Sequence, residues 1–157
     1  MKYTLSVLVE NQFGVLARIA GLFSARGFNI SSLAVAETED PTVSIMTIVV
    51  EGDDRIVDQV KKQLNKLIDV IKVKNLTDQD YISRELALIK VGVDAGKRSE
   101  IIEIADVFKG RVVDISHESI TIEVTGDSKK VDAIVNLMKA YTIKEMARTG
   151  KVALIRG

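Results

Sequence analysis

Asn11 and Gly14 stand three positions apart in Glu10-Asn11-Gln12-Phe13-Gly14-Val15-Leu16, where an alternating apolar stretch gives way to one with helical spacing. A glycine there can take positive φ and lets a ligand approach the backbone. The free N–H groups of Val15, Leu16 and Ala17 and the positive end of the helix dipole favour a carboxylate. The amide of Asn11 can accept from an ammonium or donate to a carboxylate, so the loop has the chemistry to hold both ends of a free amino acid. The same spacing equally fits an architectural role, with Asn11 closing an Asx-turn and Gly14 only permitting the bend.

Other reactive groups are sparse. The single His, His117, falls in an expected hairpin turn between Ser116 and Glu118, with no ligand cluster or nucleophile beside it. Asp53-Asp54 and Glu39-Asp40 flank turns and helix starts, where carboxylates cap or stay solvated. Lys61, Lys62 and Lys66 read as the solvated face of a helix, and Met46, Met138 and Met146 as core filling. With no Cys there is no thiolate nucleophile, disulfide, copper-carrier site or Cys-bound zinc. No catalytic and no metal-binding residue is expected.

Composition narrows the partners. The 157 residues carry 22 basic and 22 acidic side chains and no net charge, which offers no field for a phosphate backbone. An RNA-binding sheet of this kind needs aromatic platforms, and Leu5 to Val9 and Thr42 to Val50 contain none. An acyl-phosphate hydrolase needs a cation in its first loop, where this chain has Glu10. No run approaches the roughly 20 apolar residues of a membrane span. The expectation is a cytoplasmic protein with no nucleic-acid or membrane partner.

The elements that must position the Asn11 loop follow from periodicity. Tyr3, Leu5, Val7 and Val9 alternate as in a half-buried strand, and Val15, Leu16, Ile19, Leu22 and Phe23 recur as on one helical face that stops at Gly27. Phe28 to Ala36 and Thr42 to Val50 read as a hairpin. A helix capped by Asp53 or Asp54 carries Ile56, Val57, Val60, Leu64 and Leu67, and Val70 to Leu76 closes the series as a strand. After a polar linker the order repeats: strand 84–93, helix 98–108, strands 111–116 and 119–125, helix 128–139, strand 142–148. The fold class is α+β, two ferredoxin-like βαββαβ domains with antiparallel sheets, in residues 1–77 and 83–157 joined by a linker at 78–82. Helices cover one sheet face only, and Thr42 to Val50 is apolar on both, so a partner domain or subunit is expected on the other, in an obligate oligomer.

Asn11-x-x-Gly14-Val15-Leu16-x-Arg18-Ile19, Gly21-Leu22-Phe23-Ser24-x-Arg26-Gly27-Phe28-Asn29-Ile30-x-Ser32-Leu33, Asp40-Pro41 and Met46-Thr47-Ile48 closely resemble the small regulatory subunit of acetohydroxyacid (acetolactate) synthase. The likeness runs on through Lys62-Gln63-Leu64-x-Lys66-Leu67-Ile68-Asp69-Val70 and Arg84-Glu85-Leu86-Ala87-Leu88 to Ala147-Arg148-Thr149-Gly150. It implies an amino-acid-binding ACT domain first and a second ferredoxin-like domain. It also implies a chain without acetolactate synthesis or cofactor of its own, acting in branched-chain amino acid biosynthesis. Such a chain activates a catalytic large subunit that carries thiamine diphosphate, Mg²⁺ and FAD, and confers feedback inhibition by valine, or by leucine or isoleucine. The implied effector residues are Asn11, Gly14, Val15 and Leu16, with Asn29 and Ile30 supplied by the neighbouring protomer of an ACT homodimer. A free-standing ACT-type sensor acting on another regulator is the alternative. Ile45 departs from the Arg usual in that family.

Overall fold

The computed structural model describes residues 1–94 and 96–157. They form two units, Met1–Ile82 with Lys151–Gly157, and Ser83–Gly150.

In the first unit the alternating residues form β1 (Lys2–Glu10), followed by α1 (Val15–Arg26), β2 (Asn29–Glu37), β3 (Val43–Glu51), α2 (Asp54–Asn65) and β4 (Val70–Asn75). The sheet order is β2-β3-β1-β4, antiparallel at each pairing, with Leu5 opposite Ile48 and Val7 opposite both Met46 and Val73. Tyr3, Leu5, Val7 and Val9 turn to the helices and are buried with Val15, Ile19 and Phe23 of α1 and Val57, Val60 and Leu64 of α2. Burying side chains of that size contributes roughly 1.5 to 3 kcal/mol each. Gly27, left-handed at φ 66°, ends α1 where the sequence predicts, and Phe28 N donates back to Phe23 O at 3.2 Å. Asp53 is the cap of α2: its carboxylate accepts from Ile56 N at 3.0 Å, while Asp54 accepts from the Tyr3 hydroxyl at 2.7 Å.

In the second unit the order β6-β7-β5-β8 repeats the arrangement, with β5 (Tyr81–Gly92), α3 (Arg98–Val107), β6 (Arg111–Ile115), β7 (Ser119–Gly126), α4 (Ser128–Met138) and β8 (Thr142–Arg148). Ala87, Ile89 and Val91 of β5 are buried with Ile120 and Ile122 of β7, Ile101 of α3 and Val131 and Ile134 of α4. The buried carboxylate of Glu85 takes both Nε and Nη2 of Arg148, at 3.2 and 2.9 Å, and the same guanidinium reaches Asp132 at 2.8 Å. Met146, expected in the core, is 42% exposed, because β8 is the edge of this sheet.

The division of the chain differs from the expected one. Residues 78–82 belong to the first unit, and so does the last stretch, Lys151–Gly157, which the sequence reading gives to the second domain. That stretch holds a strand absent from the sequence reading, β9 (Val152–Ile155), which pairs with β5, whose first two residues lie in this unit. It lies on the face of the first sheet that the helices leave open. Lys151 N donates to Ser32 Oγ at 3.0 Å, Lys151 Nζ reaches Thr4 Oγ1 at 3.1 Å and the Tyr81 hydroxyl at 3.2 Å, and Ala153 is buried. The cover expected from another domain or subunit therefore comes, on this face, from the chain's own end segment. Its apolar Val152 to Ile155 and the apolar Leu8 and Ile45 below it explain why.

Candidate functional site

The loop between β1 and α1 is built by three anchors. Glu10 N donates to Asp69 O at 2.8 Å, Asn11 N to Thr42 O at 2.7 Å, and Arg18 Nε to the Asp69 carboxylate at 2.8 Å. They tie the loop to the start of β3, to the turn before β4 and to the first turns of α1. Gly14 is the residue before the helix, left-handed at φ 85°, and no side chain caps it. A Cβ there would lie 3.3 Å from Arg18 Nη1. Val15 N donates to Gln12 O at 3.4 Å, so the N–H groups at the start of α1 that stay available for an anion from outside the chain are those of Leu16 and Ala17.

Asn11 donates through Nδ2 to Glu37 Oε1 at 3.1 Å and to Pro41 O at 2.9 Å. Both hydrogens of its amide are engaged, and the capacity left is that of its carbonyl oxygen, an acceptor. The site offers acceptors at Asn11 and Glu37 and donors at the helix start, the complement of an ammonium and a carboxylate. The turn carrying Pro41 is itself fixed. The hydroxyl and amide of Thr42 donate to the Asp40 carboxylate, at 2.7 and 3.0 Å, and hold it below its ordinary range. Val15 is buried in the core, whereas Leu16 is 45% exposed and stands beside the loop. Phe13 is fully exposed.

Asn11, Gly14, Val15 and Leu16 come together. Asn29 and Ile30 do not join them within one chain. Asn29 lies opposite Glu51 at the far end of β2 and donates to its carboxylate, and Ile30, opposite Val50, is half-buried against the helix-side core. Glu37, the β2 residue that Asn11 touches, is eight positions along the strand from Asn29, roughly 26 Å at the usual rise of a strand. Sequence reasoning missed Glu37, Pro41, Arg18 and Asp69 as parts of the loop. The first two bond to Asn11 across 26 and 30 residues, a separation that no local pattern reports.

His117 is exposed in the β6–β7 turn, where its carbonyl lies 3.4 Å from Arg98 Nη2. Among the described residues no group of three or more His, Asp or Glu is arranged to hold a metal ion.

Residues 84–157 match the family described as the small subunit of acetolactate synthase, and residues 5–72 match the AHAS small subunit-like ACT domain. The probable acetolactate synthase small subunit of Archaeoglobus fulgidus is 59% identical over 157 residues, covering all of this chain and 98% of that protein. The acetolactate synthase small subunit of Mycobacterium bovis is 53% identical, over 99% of this chain and 92% of that one. The crystal structure of an acetolactate synthase small subunit from Thermotoga maritima superposes with a TM-score of 0.91 at 42% identity, covering all of this chain and 98% of that one.

Proposed function

Because this chain belongs to the acetolactate synthase small-subunit family, we propose that it is the regulatory partner of a catalytic large subunit, activating it and making it sensitive to a branched-chain amino acid. The observation that carries the sensing role is the pairing of an uncapped, glycine-led helix start with an Asn11 amide whose two hydrogens are already engaged. Valine then binds with its carboxylate at the N–H groups of Leu16 and Ala17 and its ammonium at Asn11 Oδ1 and Glu37. Burying its isopropyl group contributes roughly 1.5 to 3 kcal/mol, so selection against smaller amino acids is modest and most affinity comes from the charged ends.

Asn29 and Ile30 complete this site only from a second chain. Strand β2 is an edge of its sheet, with Leu33 and Val35 exposed by 40% and 43%. Two such edges, paired antiparallel about Leu33, would bring the partner's Asn29 next to Glu37, because 29 and 37 are equally distant from 33. Ile30 then contributes the part of its side chain that its own core leaves uncovered. The expected assembly is a homodimer through the ACT sheets, docked on a cytoplasmic catalytic subunit. Thiamine diphosphate, Mg²⁺ and FAD belong to that catalytic chain, and no residue here is assigned to them.

Coupling of valine binding to catalysis would amount to about 1 to 3 kcal/mol, as is usual for allosteric pairs, and reciprocity requires the inhibited catalytic subunit to raise valine affinity by the same factor. Isothermal titration of valine, leucine, isoleucine and alanine into the purified chain tests the reading. Saturable valine binding that Asn11→Ala abolishes is expected. Binding that survives Asn11→Ala would overturn the site, and failure to co-purify with a large thiamine-dependent enzyme would favour the free-standing sensor.

A further inference from the structure

The open face of the first sheet has its own chemistry. Leu8 pairs with Ile45 on one side and with Lys72 on the other, and Ser6 with Thr47 and Lys74, so two lateral rows cross β3, β1 and β4 on the side away from Leu5 and Val7. The end segment partly covers these rows and borders a solvent-open pocket of about 340 Å³, floored by Ser6, Leu8 and Ile45, flanked by Lys72 and Lys74, and walled by Leu154 and Ile155. That volume is at the lower end of small-molecule sites, roughly 300 to 1,000 Å³.

The end segment is fastened at both ends. Lys151 holds one through Ser32, Thr4 and the Tyr81 hydroxyl, with its ammonium 5.3 Å from the centre of the Tyr81 ring. Arg156 holds the other, its N–H donating to Asp80 O at 2.9 Å and its Nε lying 3.1 Å from the Asp80 carboxylate. Between the fastenings, Lys72 and Lys74 stand two residues apart on one face of β4, roughly 7 Å from each other, and neither is in a salt bridge among the described residues. Two unneutralised ammonium groups beside an apolar floor are complementary to an anion with an aliphatic body.

We propose that this pocket binds a small aliphatic carboxylate, its charge between Lys72 and Lys74 and its hydrocarbon part on Leu8 and Ile45. The site is separate from the Asn11 loop and does not depend on the reading of that loop. A free acid fits better than an acidic protein segment, because the chain's own end segment already occupies the face that a protein partner would have to meet. Ile45 matters here. An arginine at this position would place a guanidinium where the apolar floor now lies.

The test is a titration of the full-length chain with 4-methylpentanoate, followed by backbone amide shifts, with 4-methylpentanamide as the uncharged counterpart. Saturable shifts at Leu8, Lys72 and Ile155 are expected. Binding should weaken about tenfold or more for the amide and for Lys72→Gln/Lys74→Gln, and should be lost in Leu154→Trp, which fills the space. The valine response of these variants should be that of the parent. Equal affinity for acid and amide, undiminished binding to the double variant, or no saturable shift at these residues would overturn the proposal. So would an acidic, leucine-rich peptide that shifts them where the free acid does not, which would assign the face to a protein.

Discussion

Asp69 reaches back from the turn before β4 to Arg18, one helical turn into α1, and accepts from its Nε at 2.8 Å. The carboxylate is buried, with 9% of its surface exposed, whereas the guanidinium is 49% exposed, so this is an acid anchored under the loop and partly neutralised from outside. Asp69→Ala leaves a cation that water can solvate. The expected cost is about 1 to 2 kcal/mol, below the 3 to 5 kcal/mol typical of breaking a fully buried pair. Urea unfolding measures it. Because Arg18 stands beside Gly14, the same variant should also bind valine more weakly than the parent.

Gly14 has two requirements at once. At φ 85° an L-residue costs roughly 1 to 2 kcal/mol, and a carboxylate placed there would repel the carboxylate expected at the helix start. Gly14→Asp should therefore unfold at slightly lower urea, by about 1 kcal/mol, retain activation of the catalytic subunit, and lose valine inhibition. Asn29→His should lose inhibition too, with its effect exerted in the neighbouring protomer's site. Activity assays across a valine series separate the two functions, and variants that remain fully valine-sensitive would show that the site lies elsewhere.

Leu33 marks the midpoint of the proposed pairing between β2 edges. Leu33→Lys sets two like charges against each other across the two-fold axis and should raise the dimer dissociation constant by at least about tenfold. Sedimentation of the variant should show monomer at concentrations where the parent is dimeric, and valine binding should fall with dimer content. A variant that sediments as the parent does would place the interface on another surface.

The three tyrosines should ionise in a set order. The hydrogen bond from Tyr3 to Asp54, with burial and the charges of Asp54, Asp53 and Asp78, pushes the Tyr3 phenol up to about 12. Its hydrogen bond to Glu100, with burial and the charge of the same carboxylate, also raises Tyr141. Burial pushes Tyr81 upward as well, but its hydrogen bonds to Thr4 and Lys151 and the charge of Lys151 outweigh it and hold this phenol below its ordinary value. Tyr81 should titrate first and Tyr3 last, followed by tyrosinate absorbance, with Tyr81→Phe deleting the earliest step. For Tyr3 the folded value exceeds the unfolded one. Its contribution to stability is complete below about pH 10 and is lost as pH rises through about 12, a dependence that Tyr3→Phe should flatten.

The fold was legible wherever burial leaves a period in the sequence. Tyr3, Leu5, Val7 and Val9 all turn to the core, and Val15, Ile19 and Phe23 form the buried face of α1. Leu16 fits the same helical period and is nevertheless 45% exposed, because a helix start has no neighbour on that side and the period cannot tell a core position from a ligand-facing one. Strand β9 was missed for another reason. Four residues with one buried side chain, Ala153, make too short a pattern, and only the tertiary partners, the pairing with β5 and the open sheet face, explain why Val152 to Ile155 is extended. Half of the candidate site was visible in Asn11 and Gly14. The rest lay in what Asn11 touches, a glutamate on another strand and a carbonyl in another turn, which determine whether its amide donates or accepts.

The interrupted layout of the first unit sets an order of events during synthesis. Residues 83–150 form one unbroken stretch, whereas the first unit waits for residues 151–157 before its open face is closed. In the interval Thr4 and Ser32 lack Lys151, and Leu8 and Ile45 lie bare. At typical elongation rates of roughly 5 to 20 residues per second, the 68 residues of the second unit take about 3 to 14 seconds to make. A domain translated first is thus completed last, and for those seconds its uncovered sheet is the surface that a chaperone would meet on the nascent chain.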